Sequence, residues 1–139
     1  MKILLALLLA VLLPLSATAK TPSTEAAKID AMIASVEQLP GAVFIRNGGE
    51  YSGAKAATHL RYKWKSAGNH VKTAEDFILF CASASSMTGK KYQIRFNDGQ
   101  TLDSEQYFHA QLKRLNAGLP VSLKPPVLAK AAASAVAAH

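Results

Sequence analysis

The stretch from Thr73 to Tyr92, TAEDFILFCASASSMTGKKY, constrains the fold more than any other. Thr73 is a good helix N-cap, and Glu75 and Asp76 follow in the first turn, where the helix dipole favours negative charge. At helical spacing Ala74, Phe77, Ile78, Phe80, Cys81 and Ala84 cover more than half of the circumference, and Leu79 covers part of the rest. Such a helix belongs inside, with other elements packed around it. It runs into a serine-rich bend, then Gly89, two lysines and an alternating strand from Tyr92 to Phe96. Cys81 is the only cysteine, so no internal disulfide is available and the fold must rest on packing.

Elements to surround that helix lie on both sides of it. Residues 21–39 form a first helix, started at Thr21 or Ser23, with Ile29, Met32, Ile33 and Val36 on one face. Pro40-Gly41 ends it, and residues 42–45 make a short apolar strand. Asn47-Gly48 accepts positive φ, but no alternating run follows at once, so the reading is a strand-to-helix bend. Ser52 caps a second helix over 53–67, whose narrow stripe is Ala56, Ala57, Leu60, Trp64 and Ala67. His59 and Lys63 flank that stripe on one side and Arg61 on the other. After the turn at Asn97-Asp98-Gly99, Asp103 with Gln106 has the capping-box pattern for a last helix, faced by Phe108, Leu112 and Leu115 and stopped by Gly118. The expected fold is α+β and mostly helical. About four helices surround the central one with a small two-stranded sheet, in the order α-β-α-α-β-α.

The termini differ in kind from this domain. Lys2, an uncharged apolar run from Ile3 to Leu15 and the small residues Ala17-x-Ala19 read as a signal peptide cut after Ala19. A run of 13 residues is too short for a comfortable permanent span, which needs about 20. The residue after the cut is lysine, which argues against a lipid-anchored lipoprotein. Residues 20–118 are then one globular domain and 119–139 a flexible Pro/Ala-rich tail. The expected location is the periplasm, with no stable membrane insertion after cleavage.

The segments FIRNG at 44–48, AATHLRYK at 56–63, TAEDFI at 73–78 and ASASSMTGK at 82–90, with Tyr92, resemble the YfeK-like family. The resemblance covers residues 22–116 in order. It implies a small, single-domain periplasmic protein of a Gram-negative bacterium, and it implies no activity. The chain departs from that pattern at Lys91, where relatives often have proline, and in its long tail.

Net charge is +7, or +6 once Lys2 is removed. In an exported protein such an excess favours anionic envelope material, such as phosphate groups, polymer carboxylates or lipid head groups. No nucleic-acid motif is present. The residues that can form an anion or small-ligand site are Arg46, His59, Arg61, Ser85, Ser86, Thr88, Lys90 and Tyr92. Arg46 and Lys90 flank glycine-bearing bends whose backbone N–H groups can face an anion, and the hydroxyls and guanidinium add oriented donors. The plainer alternative is that the serines satisfy a helix end, Arg46 pairs with a carboxylate and Tyr92 packs.

Catalytic patterns are weaker. Cys81, amid apolar residues, is better read as a buried hydrophobe than as a nucleophile paired with His59 or His109. Ser52-Gly-Ala-Lys55 matches Ser-x-x-Lys, but its companion motifs are missing and Ser52 serves as a cap. Thr88-Gly-Lys-Lys91 lacks the earlier glycine of a phosphate loop. His59, His70, His109 and His139 have no paired spacing for a metal, and no cofactor is implied. The expectation leans against an enzyme. It is a soluble, non-catalytic accessory or binding protein with a basic, hydroxyl-lined site for an anionic ligand. The alternatives are a small hydrolase or transferase acting on an anionic envelope substrate, with a serine and His59 at work, or a module that binds a protein partner.

Overall fold

A computed structural model describes residues 24–127. The expected signal peptide, the expected caps at Thr21 or Ser23 and residues 128–139 of the expected tail lie outside the described residues. Helix α1 (Glu25–Gln38) is capped by Thr24, whose side chain accepts from the Ala27 amide. Strand β1 (Val43–Arg46) and strand β2 (Gly49–Tyr51) form a hairpin. Helix α2 (Gly53–Ala67) is capped by Ser52, which accepts from the Lys55 amide. Helix α3 (Ala74–Phe77) continues as a wider turn over Ile78–Ala82. Strands β3 (Gln93–Arg95) and β4 (Thr101–Asp103) precede helix α4 (Ser104–Asn116).

The fold is α+β and mostly helical, but its sheet has four antiparallel strands in the order β2-β1-β3-β4 rather than two. The expected bend at Asn47-Gly48 is a two-residue hairpin turn. Both residues have positive φ, +50° and +79°, the geometry whose twist suits tightly joined antiparallel strands. The second strand escaped notice because Gly49-Glu50-Tyr51 is too short to alternate. Asp103 is likewise the end of β4 as well as the residue before α4. Its carboxylate faces Lys91 and Gln93 and makes no cap bond, so the capping box expected there is not formed.

Register fixes the two faces of the sheet. Tyr51, Phe44, Ile94 and Leu102 pair across the four strands, and the last three are buried. The opposite face carries Glu50, Ile45, Gln93 and Asp103 in a second row. The inner face meets the core formed by Ile29, Met32, Ile33 and Val36 of α1, Phe77 and Ile78, and Phe108, Leu112 and Leu115 of α4. A run of edge-to-face rings, Trp64–Phe77–Phe108–Tyr107, crosses this core with centroids 5.4–6.2 Å apart. The buried Tyr107 hydroxyl donates to Ser35 Oγ at 2.9 Å, and Ser35 donates to the Met32 carbonyl, so the polar atoms inside are satisfied.

The central segment is only partly central. Ala74, Phe77, Ile78, Cys81 and Ala82 are buried, as expected of an internal helix. Leu79 and Phe80 instead lie 64% and 49% exposed, which corrects the expectation for Phe80. The widened turn takes more residues per turn than an α-helix, which shifts the inner face to Phe77, Ile78, Cys81 and Ala82 and leaves residues 79 and 80 turned outward. Ser83 stabilises this turn by donating to the Ile78 carbonyl at 2.6 Å. Ala84, expected on the apolar face of this helix, lies beyond its end at Ala82 and pairs with Lys91 in an isolated bridge. No helix among the described residues is long and apolar enough to cross a membrane.

Candidate functional site

Strand β1 brings Arg46 to the site. Alternation puts it on the same sheet face as buried Phe44, at the end of the hairpin opposite Gly49. With no side chain at Gly49, the Tyr51 ring folds back along β2; a Cβ there would meet the Tyr51 hydroxyl at 2.9 Å. The Arg46 guanidinium lies over that ring, 5.0 Å from its centroid, in a cation–π arrangement.

Helix α2 supplies the facing wall. His59 and Lys63 are four residues apart and so share one face, with Ala56 and Leu60 beside them. Arg46 Nη1 lies 3.1 Å from His59 Nδ1 and 3.0 Å from Nε2. A neutral imidazole offers one acceptor nitrogen, so only one of these two contacts can take the guanidinium proton. Tyr92 closes the third side. Its amide donates to the Ser83 carbonyl, and its hydroxyl accepts from Lys63 Nζ at 3.2 Å. The phenol hydrogen can then point to His59 Nε2, 3.4 Å away. Lys63 also donates to the Ala84 carbonyl at 3.0 Å.

Arg46, Tyr51, His59 and Tyr92 edge a cleft of about 200 Å³ between the sheet and α2; Lys63 does not line it but holds the Tyr92 hydroxyl at its wall. Buried Phe44, Leu60, Ala82 and Phe108 form its apolar lining, and exposed Lys55 and Gln93 mark where it reaches the surface. Ser104 also lines it, but its hydroxyl donates to the Ala82 carbonyl. Among the described residues no serine hydroxyl bonds a histidine nitrogen.

The charges are one-sided. The described carboxylates that form ion pairs are engaged elsewhere: Glu25 with Lys28, Glu37 with Arg61, Glu50 with Arg95, Asp103 and Glu105 with Lys91, and Glu75 beside His109. None of the described residues gives Arg46, Lys55 or Lys63 a carboxylate partner. Burial holds the His59 imidazole below its ordinary value, and the Arg46 and Lys63 cations push it further the same way. Burial also lowers the Lys63 ammonium; the Cys81 thiol opposes that shift and Arg46 adds to it. The Tyr92 phenol is raised, chiefly by burial, against the opposing pull of Arg46. At neutral pH His59 is therefore neutral and Tyr92 protonated.

Of the residues singled out from the sequence, Arg46, His59 and Tyr92 meet at the cleft. Ser85 and Thr88 do not line it. Asn47 ties them into the bend, donating to Ser85 Oγ at 3.3 Å and accepting from Thr88 Oγ1 at 2.6 Å. Ser86 and Lys90 are exposed outside the cleft. Arg61 is on the far border of α2, paired with Glu37 at 2.9 Å. The sequence reading passed over Lys63, Lys55 and Tyr51. The helical spacing that set Lys63 on the His59 side of α2 was the usable signal for Lys63. Nothing in the sequence signalled Tyr51, whose role depends on the hairpin.

Comparison with known proteins adds kinship without an activity. The model of a family of unknown function, DUF5329, matches residues 23–116. The uncharacterized protein YfeK of Salmonella typhimurium is 40% identical over 92 residues, spanning 66% of this chain and 77% of that protein. No solved structure matches.

Proposed function

The chain belongs to the YfeK-like family of unknown function, DUF5329, and from that premise we propose that it is a periplasmic binding protein for an anionic ligand, without catalysis of its own. One observation carries the reading. Arg46, Lys55 and His59 line one cleft, Lys63 is bonded to its Tyr92 wall, and no described carboxylate neutralises Arg46, Lys55 or Lys63. Partly buried like charges repel each other, and an anion seated among them relieves that repulsion while accepting oriented N–H donors. Periplasmic location rests on the signal-like N-terminus, and the purified exported protein should begin at Lys20. Recovery of the chain with Met1 retained in the membrane fraction would contradict it.

The binding test is NMR of the histidine ring protons during titration with a panel of carboxylates and phosphates. His59 should shift with saturation while His109, on the surface of α4, stays put. A panel that leaves His59 unmoved, or moves every histidine alike, rules the site out.

A further inference from the structure

The cations contribute only part of the cleft lining, and most of the rest is apolar. Phe44, Leu60 and Phe108 are 8%, 5% and 1% exposed, and with Ala82 they present carbon rather than donors to the space between sheet and α2. A bare hydrated anion would leave this surface uncovered. The volume is about 200 Å³. A cavity of about 150 Å³ lined by Leu, Ile and Phe holds one benzene molecule, so this space suits a single ring or a short branched chain rather than a long acyl tail.

We propose that the ligand is a small amphipathic anion, with a carboxylate or phosphate head on the cleft side of the Arg46–His59 pair, within reach of Lys55, and an apolar body about one ring in size against Phe44, Leu60 and Phe108. This rests on the anion-site reading and deepens it. The two halves have separate signatures. The head depends on Arg46, steadied by the Tyr51 ring. The body depends on open space beside Ala56, a half-buried residue of α2 that lines the cleft.

The experiment is calorimetric titration of the purified protein with five probes. Benzoate and phenyl phosphate carry both halves, acetate and inorganic phosphate the head alone, and benzyl alcohol the body alone. At least one aryl anion should bind about tenfold or more tighter than its bare counterpart, since even one methylene in an apolar pocket is worth about that factor. Benzyl alcohol should bind more weakly than the aryl anion. Ala56→Leu should fill the space and lower aryl-anion affinity about tenfold or more, while Arg46→Gln should weaken aryl and bare anions together. Bare anions binding as tightly as aryl anions would overturn the amphipathic ligand and leave the anion site standing. Benzyl alcohol matching benzoate, or no probe binding at all, would overturn both. The probe series needs no variant, so it decides the question even where Ala56→Leu fails to fold. A folded Ala56→Leu protein that binds benzoate unchanged also overturns the proposal.

Discussion

Gly53→Ala sets local helix preference against tertiary packing. Gly53 is the first residue of α2, and in an exposed helix alanine is favoured over glycine by up to about 1 kcal/mol. By that argument the substitution stabilises. The structure reverses the sign. A Cβ at Gly53 would stand 2.5 Å from the Val36 carbonyl oxygen and 3.3 Å from that of Glu37, both backbone atoms of α1. Ordinary contact begins at 3.4 Å, so the two helices must part by about 0.9 Å at their closest approach. Overpacking of this kind costs about 1–3 kcal/mol. Both blocking atoms are backbone and cannot swing aside, so the cost lies in the upper part of that range, about 2–3 kcal/mol; with about 1 kcal/mol of propensity gain offset, a net loss of about 1–2 kcal/mol remains, equivalent to roughly 5–15 °C in Tm for a domain this small. The assay is thermal denaturation followed by circular dichroism, with urea unfolding as a check. A second readout follows from the same displacement. Because α2 carries His59 and Lys63, anion affinity should fall in the variant at temperatures where it is fully folded. A Tm equal to or above that of the parent would refute the close-approach argument.

Three further outcomes are expected. The folded pKa of His59 lies below its unfolded value of about 6.5, so its contribution to stability is present above that pH and is lost as pH falls through the depressed folded value. Anion affinity should change in the opposite sense, rising as His59 gains its proton; His59→Gln should flatten both dependences, and a variant keeping the parent's pH profile would exclude His59 as the source. Asn47→Gly preserves the positive φ of the hairpin turn but removes the bonds to Ser85 and Thr88, costing about 1–2 kcal/mol. Amide exchange at Gly89, which donates to the Ser85 carbonyl, should quicken, and unchanged exchange would mean that Asn47 does not hold the bend. Cys81 is 1% exposed and its thiol is raised by burial, so iodoacetamide should label it only as fast as the protein opens; rapid labelling under native conditions would show a reachable thiol.

Apolar spacing was enough to find α1, α2 and α4, because each buries one stripe and a helical stripe repeats within a few residues. The buried face of α1 contains Ile29, Met32, Ile33 and Val36 as read, and Ser52 caps α2 as read. Short strands carry no such redundancy. Three residues of β2 or β4 hold too few alternations to identify, and only pairing with β1 and β3 defines them. The widening at Ile78–Ala82 was equally hidden: a stretch apolar all round gives no preferred face, and packing decided that Phe80 turns outward while Ala82 turns in.

The same division runs through the site. Sequence alone determined which residue types were available: a basic excess, one cysteine amid apolar neighbours, and His59 and Lys63 on one border of α2. It could not determine which cations would lack a counter-ion, since pairing depends on distances across the fold. Tertiary structure gave Arg61 to Glu37 and left Arg46 beside His59, thirteen positions away in the chain. It also placed Phe44 and Phe108, 64 positions apart, along one cleft. A volume enclosed by side chains from a sheet and two helices exists only when those elements meet, and no local pattern in the chain encodes it.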